Sequence, residues 1–281
     1  MAFAQSGPTR LHYESTGEGS PVLLVMGLGI SATGWWRTIP VLAERHRVIS
    51  FDNRGVGRSD HPPGPYSVAQ MAADAVAVLD AAGESSAHVY GISLGGMIAQ
   101  LIALDLPERV RGLVLGATTS GGPGALPLPD DTAVFFRRRL EMPAAEAVWA
   151  SVPYSYGEET RLRGGQLIAE DVEQRLRFPV EPVGYGGQLG AAMSFNVFDR
   201  LAEVAHPTLV LHGDADRIVP FGNGAILAER IPGAALEALP GAGHLYPTDA
   251  PHADRRVLDF LATAEAAAAP AATEPSSPDP S

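Results

Sequence analysis

The sequence predicts an α/β architecture, a mostly parallel sheet covered by helices. Three observations carry this. Short apolar runs alternate with helical patterns between residues 21 and 116. The same alternation returns after residue 207. Between the two blocks lies a long segment with helical patches and no buried strand. Runs that are apolar throughout suit strands covered on both faces, as in a parallel sheet flanked by helices.

In the first block, strands are expected at 22–26, 47–51, 87–90 and 110–115, and helices at 38–44, 68–82 and 94–106. Parallel strands joined through helices require right-handed crossovers. Gly121-Gly122-Pro123-Gly124 opens the interruption, which is rich in turns and aromatics and carries a helical patch at 132–140. The second block offers a strand at 208–211, a helix at 223–230, a strand at 234–239 and a helix at 254–261. The expected organisation is therefore a core over 1–120, a helical cap over 121–205, the rest of the core over 206–263 and a tail over 264–281. An insertion at strand C-terminal ends overlies the crevice where α/β proteins bind ligands, so a lid is expected. The tail is Ala, Pro, Ser, Thr and acidic residues, a composition that predicts disorder.

Composition narrows the function. The 281 residues include 46% apolar and 19% charged residues, with a formal net charge of -12. Such acidity opposes binding to nucleic acid or to an anionic membrane. All 20 basic residues are arginine, which excludes lysine chemistry, and the absence of cysteine excludes disulfides, thiolate zinc sites and a cysteine nucleophile. His and Asp do not recur at metal-ligand spacing, so neither metal nor other cofactor is expected. The first ten residues lack the basic and apolar regions of a secretory signal, and no run is long enough to span a membrane; a cytoplasmic location is expected. Nothing in the sequence speaks to oligomeric state.

The chemistry centres on Gly91-Ile92-Ser93-Leu94-Gly95. A Gly-x-Ser-x-Gly match is weak alone, but this one follows a buried strand and opens an apolar helix. A turn that sharp strains the serine backbone, and small flanking residues relieve the crowding. Ser93 is the candidate nucleophile. Leu94 N–H, at the helix N-terminus, is a candidate oxyanion donor. A serine needs a base, and the base an orienting acid, here expected in the order acid then histidine after later strands. His212-Gly213-Asp214-Ala215-Asp216 follows one strand and Pro240-Gly241-Ala242-Gly243-His244 the next. Asp216, deeper in its loop, is preferred over Asp214 as the acid, and His244 is the candidate base. His212 is expected to bond its local turn. The loop Met26-Gly27-Leu28-Gly29 follows the first strand; Leu28 N–H is the second candidate oxyanion donor, with Gly27 letting the backbone approach.

Taken together, these segments resemble the α/β-hydrolase superfamily from Val22 to Leu261. The matching pieces are Gly-Ile-Ser93-Leu-Gly-Gly, His-Gly-x-x-Asp216-x-x-Val and Gly-x-Gly-His244. Asp52-Asn53-Arg54-Gly55-Val56-Gly57-Arg58-Ser59 is similar to a family turn in which the Asp and Arg are structural. Val-Met-Gly followed by Ser-Ala-x-Gly-Trp35 resembles aclacinomycin methylesterase. The helix after Ser93 and the run Phe198-Asp199-Arg200-Leu201 resemble 3-oxoadipate enol-lactonases and small carboxylesterases. Where the family often has His-Gly after its first strand, this chain has Met26-Gly27; backbone donors survive that change, a polar wall does not.

The resemblance implies an α/β-hydrolase fold and a Ser93–His244–Asp216 acyl-enzyme mechanism. The expected substrate is a small, mostly apolar carboxylic ester. A lactone, or the methyl ester of a secondary metabolite, is the nearest alternative. Carbon–carbon bond hydrolysis, cofactor-free haloperoxidase or perhydrolase activity, and a slow-turnover ligand receptor share the same residues. Candidate pocket residues are Gly27, Trp36, Phe136, Trp149, Tyr154, Met193, Val219 and Leu245, with Phe135, Phe178, Tyr185 and Phe195 as further apolar candidates. Arg137-Arg138-Arg139 is read first as a solvated helix face and second as a means of steering an anionic substrate.

Overall fold

All six apolar runs expected to be strands are strands. A computed structural model describes residues 2–268 of the protein. It opens with β1 (Ala2–Ser6), β2 (Thr9–Thr16), β3 (Ser20–Val25), α1 (Thr38–Leu42), β4 (His46–Phe51), α2 (Val68–Ala81), β5 (Ala87–Ile92), α3 (Leu94–Asp105) and β6 (Val110–Gly116). The insertion holds α4 (Asp130–Arg139), α5 (Ala144–Ala150), α6 (Val152–Ser155), α7 (Glu158–Arg163), α8 (Gly165–Leu176) and α9 (Pro182–Ser194). The sheet resumes with β7 (Thr208–Gly213), α10 (Gly222–Arg230), β8 (Ala235–Leu239), α11 (Tyr246–Asp249) and α12 (His252–Ala268).

The eight strands lie in the order β1-β2-β4-β3-β5-β6-β7-β8. The β1/β2 and β2/β4 pairs are antiparallel, and the other pairs are parallel. Along β3, alternate side chains serve opposite cores. Leu23 and Val25 pack with α2 and α3 residues such as Met71 and Ile98, and Val22 and Leu24 with Leu42 and Val257 from α1 and α12. This period-2 division requires strands apolar on both faces.

Chain order reverses between β3 and β5: β4 lies on one side of β3 and β5 on the other, with Val25 paired to Gly91. Such a switch point leaves a crevice outside the strand C-terminal ends. The loop after β3 and the turn after β5 therefore meet there.

Two expectations need correction. The β1/β2 hairpin falls in a segment read without strands; of β1 only Ala4 is buried, so no apolar run marks it. The tail boundary at 264 falls inside α12, which continues to Ala268. Alanine is the strongest helix former, so an Ala-rich run appended to a packed helix extends it. Ala264 is buried, and Glu265 Oε1 lies 3.3 Å from His88 Nε2. Residues 269–281, where the rest of the expected disordered tail falls, lie outside the described residues. No helix among the described residues is long and apolar enough to cross a membrane.

Candidate active site

The turn between β5 and α3 holds Ser93 at φ 57° and ψ -121°, a region an L-residue occupies only when its surroundings impose it. Hydrogen bonds impose it here. Ser93 N–H donates to Gly116 O (2.9 Å), while Ser93 O accepts from Thr118 Oγ1 (2.7 Å) and from the N–H groups of Gly96 and Met97. Glycine is required on either side by close approach. A Cβ on Gly91 would stand 2.2 Å from Gly95 O, and one on Gly95 would stand 1.9 Å from Val25 O. Leu94 carries the first N–H of α3, and first-turn N–H groups have no carbonyl partner within their helix.

The loop after β3 runs against this turn. A Cβ on Gly27 would lie 3.1 Å from Ser93 Cβ and 3.7 Å from its Oγ, so only a bare backbone passes this close without displacing something. Neighbouring polar groups hold the loop. Met26 O accepts from Asn53 Nδ2 (3.0 Å), Asp52 Oδ1 accepts from Ala32 N–H (2.7 Å), and Gly29 N–H donates to Gln188 Oε1 (2.8 Å). Gln188 Nε2 also donates to Arg54 O (2.8 Å), and Arg54 forms a buried ion pair with Asp74. Asp52 and Arg54 are thus structural, as expected. Gln188, supplied by α9, was not foreseen.

His244 and Asp216 come from the loops after β8 and β7. The His244 Nδ1–Asp216 Oδ2 distance is 2.8 Å. Asp216 Oδ1 accepts from the N–H groups of Ile218 (2.8 Å) and Val219 (2.9 Å). Burial alone would raise the Asp216 pKa. The charge of His244, with hydrogen bonds from His212 and His244, outweighs burial and holds the carboxyl down at about 2. His212 Nε2 bonds Val219 O at 2.9 Å, the local turn role expected of it, and stands 3.4 Å from Asp216 Oδ2. The competing Asp214 accepts from Gly241 N–H at an exposed site, which leaves Asp216 as the acid that faces His244.

A cavity of about 580 Å³ covers these groups. Ser93, His244, Gly27, Leu28, Leu94, Phe136, Met193, Val219 and Leu245 all line it, as do Phe135 and Phe195. Three candidate pocket residues do not. Trp36 lines an adjoining crevice of about 30 Å³ and donates from Nε1 to Asp171 Oδ1 (3.0 Å). Trp149 is 51% exposed. Tyr154 stacks on Phe135 at 4.5 Å with the Arg217 guanidinium over its ring, outside the lining. Among the further apolar candidates, Phe178 lies under Arg58, and Tyr185 lines a second cavity of about 220 Å³.

The insertion is tied to the core beneath it. Asp171 on α8 accepts from Trp36 Nε1, Arg37 Nε, Tyr156 Oη and Thr248 Oγ1. Asp249 Oδ2 accepts from Gly157 N–H (2.8 Å) and Gly243 N–H (2.7 Å), joining the insertion to the loop that carries His244. Of the run Arg137-Arg138-Arg139, the first two are exposed, but Arg139 lines the cavity together with Arg175 of α8. A signal for both existed in the sequence. Arg139 stands four residues after Phe135, and Arg175 three after Val172, so each shares a helix face with an apolar neighbour. Among the described residues no group of three or more His, Asp or Glu side chains is placed to hold a metal ion.

Residues 20–251 match the family model for the alpha/beta hydrolase fold. The chain belongs to the α/β-hydrolase family. It is similar to the RutD protein of Azorhizobium caulinodans, to which carbamate hydrolase activity is ascribed, at 34% identity over 92% of this chain and 97% of that protein. Rhodomycin D methylesterase DnrP of Streptomyces peucetius is 31% identical over 81% of this chain and 86% of its own length. Among solved structures, a thermophilic esterase from Thermogutta terrifontis superposes with a TM-score of 0.81 at 28% identity, covering 93% of this chain and 97% of that one. These α/β hydrolases differ in the bond their names describe. The shared scaffold therefore leaves the choice of substrate to the cavity.

Proposed function

We propose that the protein is a serine hydrolase that cleaves a mostly apolar carboxylic ester through an acyl-enzyme. One observation carries the reading: strained Ser93 opens onto an apolar cavity that also receives His244, itself held by buried Asp216. In the proposed cycle, His244 Nε2 takes the Ser93 proton as Oγ attacks the ester carbonyl. The carbonyl electron pair moves onto oxygen, where Leu28 and Leu94 N–H groups receive the charge. Collapse expels the alcohol, protonated by His244. Water, deprotonated by His244, then attacks the acyl-enzyme, and Ser93 leaves with its proton restored. Asp216 accepts a hydrogen bond from Nδ1–H throughout, which keeps Nε2 free to act as base. In a lactone the leaving oxygen stays tethered, and the same steps apply.

The carbamate activity ascribed to RutD is the competing reading for this scaffold. A cavity of about 580 Å³ lined by Leu126, Phe135, Phe136, Met193 and Phe195 favours a larger carbon skeleton, so ester or lactone cleavage is preferred. A methyl ester, the bond named for DnrP, fits the same volume when its acyl group is large.

A chromogenic panel of esters and lactones of varied acyl length tests this, with Ser93→Ala as control and a serine-reactive phosphonate as label. Turnover and labelling by the wild type, both lost in Ser93→Ala, are expected. If the wild type takes up no phosphonate and cleaves nothing, the hydrolase reading fails. Full activity in Ser93→Ala would move the nucleophile elsewhere.

A further inference from the structure

The cavity lining contains no aspartate or glutamate but two arginines, Arg139 and Arg175, in a chain with 32 acidic residues. Both also line the second cavity of about 220 Å³, so their side chains stand between the two spaces. Neither makes a salt bridge among the described residues. The Arg139 guanidinium lies over the Tyr185 ring, 4.8 Å from its centre. Arg175 Nη1 donates to Ser151 Oγ (3.2 Å). The carboxylate one turn before Arg175, Asp171, is already occupied by Trp36, Arg37, Tyr156 and Thr248. Tyr185 Oη is buried without a hydrogen-bond partner.

Burial pushes the Arg139 pKa down and the positive charge of Arg175 adds to this, against the opposing effect of the Tyr185 phenol. A guanidinium nevertheless keeps its proton at any physiological pH. Two like charges therefore sit in a mostly apolar wall whose lining holds no carboxylate. Such an arrangement is unfavourable for the empty protein and favourable for an anionic guest. The planar forks of two arginines match a carboxylate, which can accept two N–H groups on each oxygen.

We infer that the preferred substrate is an ester or lactone carrying a second, free carboxylate, held by Arg139 and Arg175 while Ser93 attacks the ester carbonyl. This rests on the serine-hydrolase reading and specifies which esters it serves.

The test compares 4-nitrophenyl hydrogen esters of dicarboxylic acids, from succinate to suberate, with the matching neutral 4-nitrophenyl methyl diesters. Background hydrolysis is subtracted using Ser93→Ala. At the best chain length, kcat/KM for the acid ester should exceed that for its neutral match by about 10- to 100-fold, the range of a charged hydrogen-bonded contact. Arg139→Gln and Arg175→Gln should each reduce this ratio at least several-fold, mainly through KM, and Arg139→Lys should restore part of it. The wild-type ratio decides even where a variant fails to fold. Neutral esters cleaved as fast as acid esters at every length would overturn the carboxylate inference and leave the hydrolase reading standing. So would a ratio unmoved by substitution in well-folded variants. Absence of all turnover and of phosphonate labelling would overturn both.

Discussion

The sheet core and the helical insertion wall one cavity, yet they build it by different means. From the core come Ser93, His244 and Asp216, each at a strand C-terminal end and each fixed by backbone geometry or short hydrogen bonds. From α4, α8 and α9 come Phe135, Phe136, Arg139, Arg175 and Met193, aimed by helix rotation and packing. In the proposed cycle the core's groups meet the reacting bond, so their chemistry would apply to every substrate. In the same proposal the insertion's groups meet the rest of the substrate and set which substrates fit.

The largest expected effect tests the core's half of this contrast. Ser93→Ala should lower kcat by about 10⁴-fold or more on every ester regardless of its size or charge. An effect restricted to some esters would place their chemistry outside the core. Asp216→Asn should follow at about 10³- to 10⁴-fold, because an amide cannot hold the Nδ1 proton as the carboxylate does. Measured by phosphonate labelling as well as turnover, it should slow both while leaving the acid-to-neutral ester ratio intact. The low Asp216 pKa has a consequence for stability too. A carboxyl held at about 2 in the folded chain stabilises it above the ordinary carboxylate value, and this contribution is lost as pH falls toward 2. Asp216→Asn should therefore flatten the acid limb of a thermal melting curve taken against pH.

Gln188→Ala probes the border between the regions. This α9 side chain accepts from Gly29 N–H and donates to Arg54 O, so an insertion residue steadies the core loop that carries Leu28. Its loss should lower kcat for acid and neutral esters alike, by roughly 10-fold, the equivalent of one or two neutral hydrogen bonds. A change in the acid-to-neutral ratio instead would mean that Gln188 acts on substrate choice.

The same division explains what could be read from the sequence. Ser93 was legible because the backbone around Gly91 and Gly95 leaves no room for a side chain: a Cβ there would fall 2.2 Å from Gly95 O and 1.9 Å from Val25 O. Asp216 and His244 were legible because apolar runs mark strand ends, and in this fold strand ends face one crevice. Trp36, Trp149 and Tyr154 were misplaced because aromatic character says that a side chain packs, without saying against what. Trp36 is drawn aside by Asp171, 135 residues away in sequence. The β1/β2 hairpin is held largely by pairing along the sheet edge, which leaves little mark in hydropathy. Arg139 was visible at four residues from Phe135, but its charged run reads equally well as a solvated face until the helix is docked.

The smallest effect concerns stability alone, and it sharpens the contrast between buried charges. Asp254 of α12 is buried, and burial pushes its carboxyl up to about 7 against a hydrogen bond from Thr38 Oγ1. The folded chain thus holds a proton that the unfolded chain releases near pH ~4. Its contribution to stability is fully present below that value and is lost as pH rises through 7. Asp254→Asn removes the titration. Its Tm should gain on the wild type by roughly 2–6 °C between pH 5 and pH 8, with the ester ratio unchanged. Parallel Tm curves would mean that Asp254 stays ionised in the fold. A buried carboxyl can discharge itself by taking up a proton, so the core tolerates Asp254 without a partner ion. Arg139 and Arg175 cannot discharge, and for them the remaining remedy is an anion that enters with the substrate.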